Sequence, residues 1–311
     1  MPQAPGSRLS HYRLIEKIGE GGMGVVWKAH DEHLDRQVAV KVLTPGALAD
    51  SSTRERFRRE AHVLSRLSHP GVATVFDFDA QDGVDFLVME FVPGGTLEDR
   101  LRKSSLGIDE VVRLGAAIAG ALQDAHDMGF LHRDLKPSNV VLTAAGEPKI
   151  LDFGLARLLH GAQATAGLTQ SGMILGTLPY MAPEQLLGEA DDKRTDVYAL
   201  GVLLYEAATG RRPFTKDRAE ALMFEILNSA PPPLRSLRPD APPELDRLIA
   251  SCMSKELPSR PASAGSVAEA LRAMSDGVSR SGGRAEPATE VIRSLAVLPL
   301  ANVSRDAAQE Y

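Results

Sequence analysis

Apolar and polar positions recur along this chain with two periods, and the shorter one dominates the first third. Tyr12, Leu14 and Ile18 begin a strand-like pattern, and Val25 to Ala29 continue one. Val38-Ala39-Val40-Lys41-Val42 is a β-branched strand. Phe86 to Val92 is another, closed by the breaker cluster Pro93-Gly94-Gly95. Between these two strands, Thr53 to Leu67 has the helical period, with Phe57, Leu64 and Leu67 on one face. Met1 to Ser10 carry Pro, Gly and Ser and read as a loose lead-in.

Beyond residue 96 the longer period takes over. Asp109 to Met128 is an Ala-rich helix with Gly129 as its C-cap. Two short apolar runs follow, Val140-Val141-Leu142 and Lys149-Ile150-Leu151. Asp196 to Thr209 is apolar nearly all round, which predicts a helix buried in the lobe's centre with Asp196 as its N-cap and Gly210 ending it. Further helices are expected near 217–228, 242–254 and 263–274, with Pro231-Pro232-Pro233 as a turn. Residues 275–293 are rich in Ser, Gly, Arg and Glu and read as a linker. Ser294 to Leu300 is a lone buried-strand pattern, and one strand cannot make a domain. It is expected either to open a further domain over 294–311 or to dock on the preceding one.

Composition narrows the class. At 311 residues the chain is long for one core and natural for two lobes. Hydrophobic residues at 43% and charged residues at 24% describe an ordinary globular chain. A formal net charge of −6 argues against a nucleic-acid partner. The single cysteine, Cys252, excludes an intramolecular disulfide and a Cys-rich zinc site, and it reads as a small buried side chain. No stretch approaches a membrane span, and the first residues lack the order of a secretory signal. The expected location is cytoplasmic.

The candidate chemistry centres on His132-Arg133-Asp134-Leu135-Lys136-Pro137-Ser138-Asn139, followed by Asp152-Phe153-Gly154. Pro137 and the short polar residues make the first stretch a loop. It supplies Asp134, Asn139 and the cation Lys136, and the second turn supplies Asp152. Two acids at the ends of a small hairpin can face one polyphosphate and its Mg²⁺, a cation that takes one or two carboxylates plus substrate phosphates. Upstream, Gly19-Glu20-Gly21-Gly22-Met23-Gly24 places glycines where backbone N–H groups could approach phosphate oxygens. A tight hairpin without ligand is the plain alternative. A dinucleotide motif would open a helix, whereas this run enters a strand. Ile18 and Val26, flanking the loop, are the apolar covers for a nucleobase. Lys41 is either a solvated strand lysine or a phosphate ligand. Glu60 shares the inward face of its helix, where a carboxylate needs a partner. That partner is Lys41, or else Arg56 or Arg59 at the helix rim.

Taken together, these motifs resemble the protein kinase signature, in its bacterial serine/threonine branch. The resemblance covers about residues 12–274 and implies an α+β bilobal protein-kinase fold. Its small antiparallel β lobe would span about 12–92 and its mainly helical lobe about 96–274. It implies transfer of the ATP γ-phosphoryl to Ser or Thr of protein substrates, with Mg²⁺ and with Mn²⁺ as an alternative. By resemblance, Asp134 handles the substrate hydroxyl proton, Lys136 steadies the transferring phosphate, and Asn139 and Asp152 hold the metal. Lys41, paired with Glu60, reaches the phosphates. Ile18, Gly19, Glu20, Gly21, Gly22, Met23, Gly24, Val26, Ala39, Met89, Glu90, Val92 and Val141 match the ATP-binding positions, although Met89 reads equally well as core filler.

Residues 155–176 fall where the family has its activation loop. Thr165, Thr169 and Ser171 are the candidate phosphoacceptors, and Arg133 is a suitable partner for a phosphate there. A polar, unmodified loop is the alternative. Gly176 to Glu184 resembles the substrate-docking segment. In it, Thr177 matches the threonine that contacts the catalytic aspartate. Glu184 and Arg260 match a buried ion pair, the alternative being two unrelated surface charges. Asp196 matches the residue that supports the catalytic-loop backbone. Residues 296–304 with 309–311 resemble the opening of a domain that follows kinase domains in some bacterial proteins. Self-association for autophosphorylation in trans is an expectation from the family alone. A non-catalytic ATP-binding scaffold would lack one of the motif residues, and none is missing. A small-molecule phosphotransferase fits the docking segment poorly, and a dinucleotide oxidoreductase fails at the glycine loop.

Overall fold

Six antiparallel strands form the first lobe, in the order β1-β2-β3-β4-β6-β5. They are β1 (Arg8–Leu9), β2 (Tyr12–Gly21), β3 (Gly24–Asp31), β4 (Arg36–Leu43), β5 (Val75–Gln81) and β6 (Val84–Glu90). The computed structural model describes residues 4–21, 24–44, 46, 48, 51–153 and 176–281. Gly22, Met23, Thr165, Thr169, Ser171 and the segments 154–175 and 282–311 lie outside the described residues, so the expectations placed on them are not carried into the fold.

The strand pattern of the sequence is realised, with additions. The stretch before Tyr12 is not a loose lead-in. Strand β1 pairs with β2, and Gly6 N–H donates to Leu14 O at 2.8 Å. Strand β5 joins β6 through Asp82 and Gly83, both at positive φ (51° and 78°). A two-residue turn of that hand matches the twist of the strands it joins. Helix α1 (Ser51–Leu64) sits between β4 and β5 in sequence and packs on β5, Phe57 against Phe78 with ring centroids 4.7 Å apart.

Strand β4 is buried on both faces, which explains its near-continuous apolar run. Val38, Val40 and Val42 pack with Tyr12, Leu14, Trp27, Phe86 and Val88. Ala39 and Leu43 join Leu87, Met89 and the α1 residues Phe57, Ala61 and Leu64 in the cluster that continues into the second lobe. Lys41 alternates with the valines, so its side chain emerges on the second face, toward the other lobe.

That lobe is helical apart from a small sheet of β7 (Gly95–Thr96), β8 (Val140–Leu142) and β9 (Pro148–Ile150). Its described helices are α2 (Leu97–Leu101), α3 (Ile108–Asp127), α4 (Pro183–Leu187), α5 (Lys193–Thr209), α6 (Ala219–Asn228), α7 (Leu234–Leu237), α8 (Pro243–Cys252) and α9 (Ala264–Ser281). Helix α5 is the central one, buried from Thr195 to Tyr205 without a break. Each fully buried Leu or Val there contributes about 1.5–3 kcal/mol of transfer free energy. Gly201 permits the contact with α8, since an added Cβ would lie 2.6 Å from Cys252 Cβ. Cys252 is fully buried, and burial pushes its thiol up to about 12, as befits a packing residue.

Two boundaries differ from expectation. Asp192, not Asp196, caps α5, accepting from Arg194 N–H at 2.9 Å and forming a capping box with Thr195. Asp196 therefore lies inside the first turn, free to serve the catalytic loop. Helix α9 runs on to Ser281, beyond the expected end at 274, seated in the core by Ala264, Val267, Ala268 and Leu271 and continuing through Gly277 to the glycine pair Gly282-Gly283.

Candidate active site

Asp196 builds the loop that carries Asp134. Its Oδ2 accepts the N–H of His132 at 2.8 Å and its Oδ1 that of Arg133 at 2.7 Å, while His126 Nε2 lies 2.8 Å from Oδ2. Arg133 sits at φ +66°, a conformation that costs a side-chain-bearing residue about 1–2 kcal/mol. Two charge-assisted bonds from a buried carboxylate offset that cost and hold the turn. Burial alone would raise the Asp196 carboxyl. The His126 hydrogen bond, the two histidines and the Arg133 amide overrule it, and the carboxyl is held below its ordinary value.

His132 is fully buried and works as a strut. Its Nε2 lies 2.8 Å from Leu151 O, and its Nδ1 accepts the N–H of Asp134 at 3.2 Å. A carbonyl only accepts, so this pattern assigns the proton to Nε2. The ring meets Phe153 edge-on at 4.7 Å, and Phe153 is packed inward.

Around the loop the reacting groups converge. Lys136 Nζ donates to both Asp134 oxygens at 2.9 Å and to Thr177 Oγ1 at 2.6 Å. Thr177 thus reaches Asp134 through the lysine rather than directly. Asn139 Nδ2 donates to Asp134 O at 2.8 Å and to Oδ2 at 3.1 Å. Strands β8 and β9 pair Val140 with Ile150, and Leu151 N–H donates to Asn139 O at 2.8 Å. The hairpin so brings Asn139 and Asp152 to one end. Asn139 spends its amide nitrogen on Asp134, leaving its carbonyl oxygen for another ligand. Among the described residues no group of three or more His, Cys, Asp or Glu could hold a metal. An Asn–Asp oxygen pair suits a hard cation that takes its other ligands from phosphates and water.

The expected Lys41–Glu60 pair is not formed. Lys41 Nζ lies 2.7 Å from Asp152 Oδ2, and Asp152 itself is at φ +58°. Glu60 is half-buried and makes no hydrogen bond or ion pair among the described residues, neither with Lys41 nor with Arg56 or Arg59. The physical reason is placement. Helical period selects the face of Glu60, but the position of α1 against the sheet decides its reach. Arg54 clamps the start of α1 to Asp85 on β6, with contacts of 2.9 and 3.0 Å.

The face above the cleft follows from strand register. Val26 opposes Lys41, and Ala39 opposes Met89, so Val26, Ala39, Lys41 and Met89 come from adjacent strands. Val141, buried on β8, belongs to the opposite lobe. Ile18 is 44% exposed. Gly19 opposes Val26, Gly21 opposes Gly24, and the Glu20 carboxylate pairs with Lys17. Gly24 needs to be glycine: φ is +144°, and an added Cβ would lie 1.9 Å from Val42 O. Glu90 ends β6, its N–H donating to Thr74 O at 2.8 Å and its carboxylate pairing with Lys149. Val92 lies just past that strand end, in the connection to β7.

Glu184 and Arg260 form the buried pair. Arg260 Nη1 and Nη2 donate to the two Glu184 oxygens at 2.7 and 2.8 Å, and Thr195 Oγ1 donates to Oε1 at 2.8 Å. Burial opposes the charge on Glu184, but the arginine holds its carboxyl below the ordinary value. Three features of the site were not legible in the pattern: the Tyr180–Glu206 hydrogen bond, the Glu90–Lys149 pair, and the salt bridge from Arg133 Nε to Asp191 Oδ2 at 2.7 Å. Each joins residues remote in sequence, with no periodic signal to mark the partner.

Comparison with known proteins agrees with this geometry. The protein kinase domain family matches residues 12–273. The serine/threonine-protein kinase pkn3 of Myxococcus xanthus is 43% identical over 271 residues, covering 85% of this chain and 50% of that protein. PknA of Mycobacterium tuberculosis (strain ATCC 25618 / H37Rv) is 40% identical over 272 residues, covering 86% of this chain and 62% of that protein. This chain therefore spans half to about three-fifths of those relatives' length. The kinase domain of M. tuberculosis PknI superposes with a TM-score of 0.70 at 30% identity, over 89% of this chain and 100% of that one.

Proposed function

The chain belongs to the protein kinase family, and on that premise we propose that it transfers the γ-phosphoryl group of ATP to serine or threonine hydroxyls of protein substrates. Membership implies ATP and a divalent cation. The observation that carries the proposal is the contact set of Asp134, Lys136, Asn139 and Thr177, closed by Asp152 at the end of the hairpin.

In this reading a substrate hydroxyl meets Asp134, which orients it and accepts its proton as its oxygen bonds the γ-phosphorus and the bond from that phosphorus to the bridging oxygen breaks, releasing ADP. Lys136 already joins Asp134 to Thr177, so one cation both positions the carboxylate and meets negative charge on the transferring group. Thr177 ties the docking segment to the same centre through its contact with Lys136. Asn139 Oδ1 and Asp152 would hold Mg²⁺, which when bound neutralises the phosphate oxygens; Mn²⁺ is the alternative. Lys41 would leave Asp152 for the phosphates and for Glu60. Gly19, Gly21, Gly22, Met23 and Gly24 would cover the phosphates, with Ile18, Val26, Ala39, Met89, Glu90, Val92 and Val141 around the base. Thr165, Thr169 and Ser171 are the proposed phosphoacceptors, reached by Asp134 of a second copy, and Arg133 receives the phosphate.

The domain is assigned to the cytoplasm, which supplies ATP and keeps a lone thiol such as Cys252 reduced. Among the described residues no helix is long and apolar enough to cross a membrane.

Transfer from labelled ATP to the protein and to a generic basic protein, with Mg²⁺ and then Mn²⁺, tests the reading. Wild type should label and Asp134→Asn should not, with a loss of about 10²–10⁴-fold. Tight ATP binding without any label would replace the kinase with an ATP-binding scaffold.

A further inference from the structure

Arg133, the residue assigned to receive a loop phosphate, already holds an anion. Its Nε donates to Asp191 Oδ2 at 2.7 Å, and both side chains are largely buried, 16% and 24% exposed. Asp191 lies in the connection between α4 and α5, and its surroundings fix it. Asp192 caps α5 beside it, Thr195 ties the cap to Glu184, and Glu184 is clamped by Arg260. The backbone of Arg133 is bound on both sides as well, its N–H to Asp196 and its C=O to Gln185 Nε2 at 3.0 Å. The arginine thus links the catalytic loop to the docking segment and to the start of α5 through protein groups alone. Beside it Asp134, Lys136, Asn139 and Thr177 are in contact.

We propose that Asp191 is a positioning residue that stands in for the loop phosphate on Arg133, so that the large-lobe site assembles without phosphorylation and responds to it only weakly. The proposal rests on the kinase reading above and alters its regulation. The physical ground is competition for one cation. A charge-assisted bond between guanidinium and carboxylate is of the same kind as one to phosphate. The two Arg133 Nη groups make no hydrogen bond among the described residues, so a phosphate could still approach them. It would then meet a guanidinium already neutralised and a carboxylate of like charge beside it, which lowers what it gains.

The test uses the full chain in two forms, treated with phosphatase and preincubated with ATP and Mg²⁺, each checked by intact mass. kcat/KM on a generic basic protein is measured for wild type, Asp191→Asn and Asp191→Glu. Wild type should change by no more than about threefold between forms. Unphosphorylated Asp191→Asn should lose about tenfold or more, the scale of one lost charge-assisted bond, and recover on phosphorylation. Asp191→Glu should behave as wild type. A wild type that loses tenfold on phosphatase treatment, or an Asp191→Asn that loses nothing, overturns the proposal.

Hydrogen exchange over residues 131–139 of the unphosphorylated proteins needs no turnover. Exchange should be faster in Asp191→Asn and normal in Asp191→Glu, and equal exchange in all three overturns the proposal by itself. Absence of transfer in every protein, with the exchange difference present, supports the positioning role of Asp191 and sinks only the kinase reading.

Discussion

Lys41 Nζ lies 2.7 Å from Asp152 Oδ2, a contact that joins β4 of the small lobe to the turn after β9 in the large one. The same carboxylate is the proposed metal ligand, and the same ammonium is the proposed phosphate ligand. Each therefore occupies the other where ATP and its cation would bind. Glu60 stands by half-buried, with no partner among the described residues. On the proposed function, nucleotide binding exchanges this pairing for one of Lys41 with the phosphates and Glu60.

Glu60→Gln separates structure from switch. Removing a charge with no partner in this state should change stability by no more than about 0.5 kcal/mol. Phosphoryl transfer should fall on the order of 10²-fold if the pair forms in the working state, the scale of one lost preorganised electrostatic contact. Urea unfolding and steady-state transfer, measured on the same preparations, check both halves. Equal loss of stability and activity would make Glu60 a structural residue.

Gly24→Ala should weaken ATP binding. Its φ of +144° and the 1.9 Å approach of an added Cβ to Val42 O require the hairpin to move. A strained backbone of this kind costs about 1–3 kcal/mol. Calorimetric ATP binding should show a Kd raised by roughly tenfold or more, the free energy of about 1.4 kcal/mol. An unchanged Kd would place the phosphates away from β2 and β3.

Glu184→Gln should destabilise the large lobe by about 3–5 kcal/mol, because it leaves the Arg260 guanidinium buried without its counter-charge. The pH dependence has a definite sign. The Glu184 carboxyl is depressed in the folded state, so its stabilisation is complete above the unfolded carboxylate value of about 4.3. It is lost as pH falls below that toward the folded value. Wild-type stability, measured by urea midpoint, should drop over that acid range, and Glu184→Gln should show a shallower drop.

Lys255 gives the same sign at the alkaline end, from a buried charge that costs stability. Its Nζ is buried with no hydrogen-bond partner among the described residues, 4.3 Å from the Phe214 ring centroid and 5.9 Å from that of Tyr198. Burial, then the nearby Arg260 charge, lowers its pKa to about 8. Between about 8 and the unfolded lysine value of about 10.4, the unfolded chain holds a proton that the folded one lacks, so stability rises with pH. Lys255→Met removes this contribution. Wild type should gain on the variant between pH 8 and 10 in urea midpoint, and a parallel pair of curves would show that Lys255 stays charged.

Much of the site was legible because kinase chemistry is carried by short local motifs. Asp134, Lys136 and Asn139 lie within one loop, and Asp152 ends the adjoining hairpin, so spacing alone places them together. Lys41 was legible as a strand residue, and alternation in β4 fixes which face it uses. Strand β1 was missed because two residues make no period. The cap of α5 was misplaced because Asp192 and Asp196 are both acids near one helix start, and only hydrogen-bond geometry tells a cap from a first-turn carboxylate.

By itself the sequence determined the elements, the faces they bury and the order of the reacting groups, since these follow from periodicity and local backbone chemistry. Only the tertiary structure decided the partners of the charged groups. Lys41, expected on Glu60, is found on Asp152, and Arg133 has Asp191 where a phosphate was expected. A side chain's period selects a face, but a salt bridge depends on a few ångströms of placement between elements far apart in the chain. That placement is set by the packing of α1 on β5 and by the anchoring of α4 to α5.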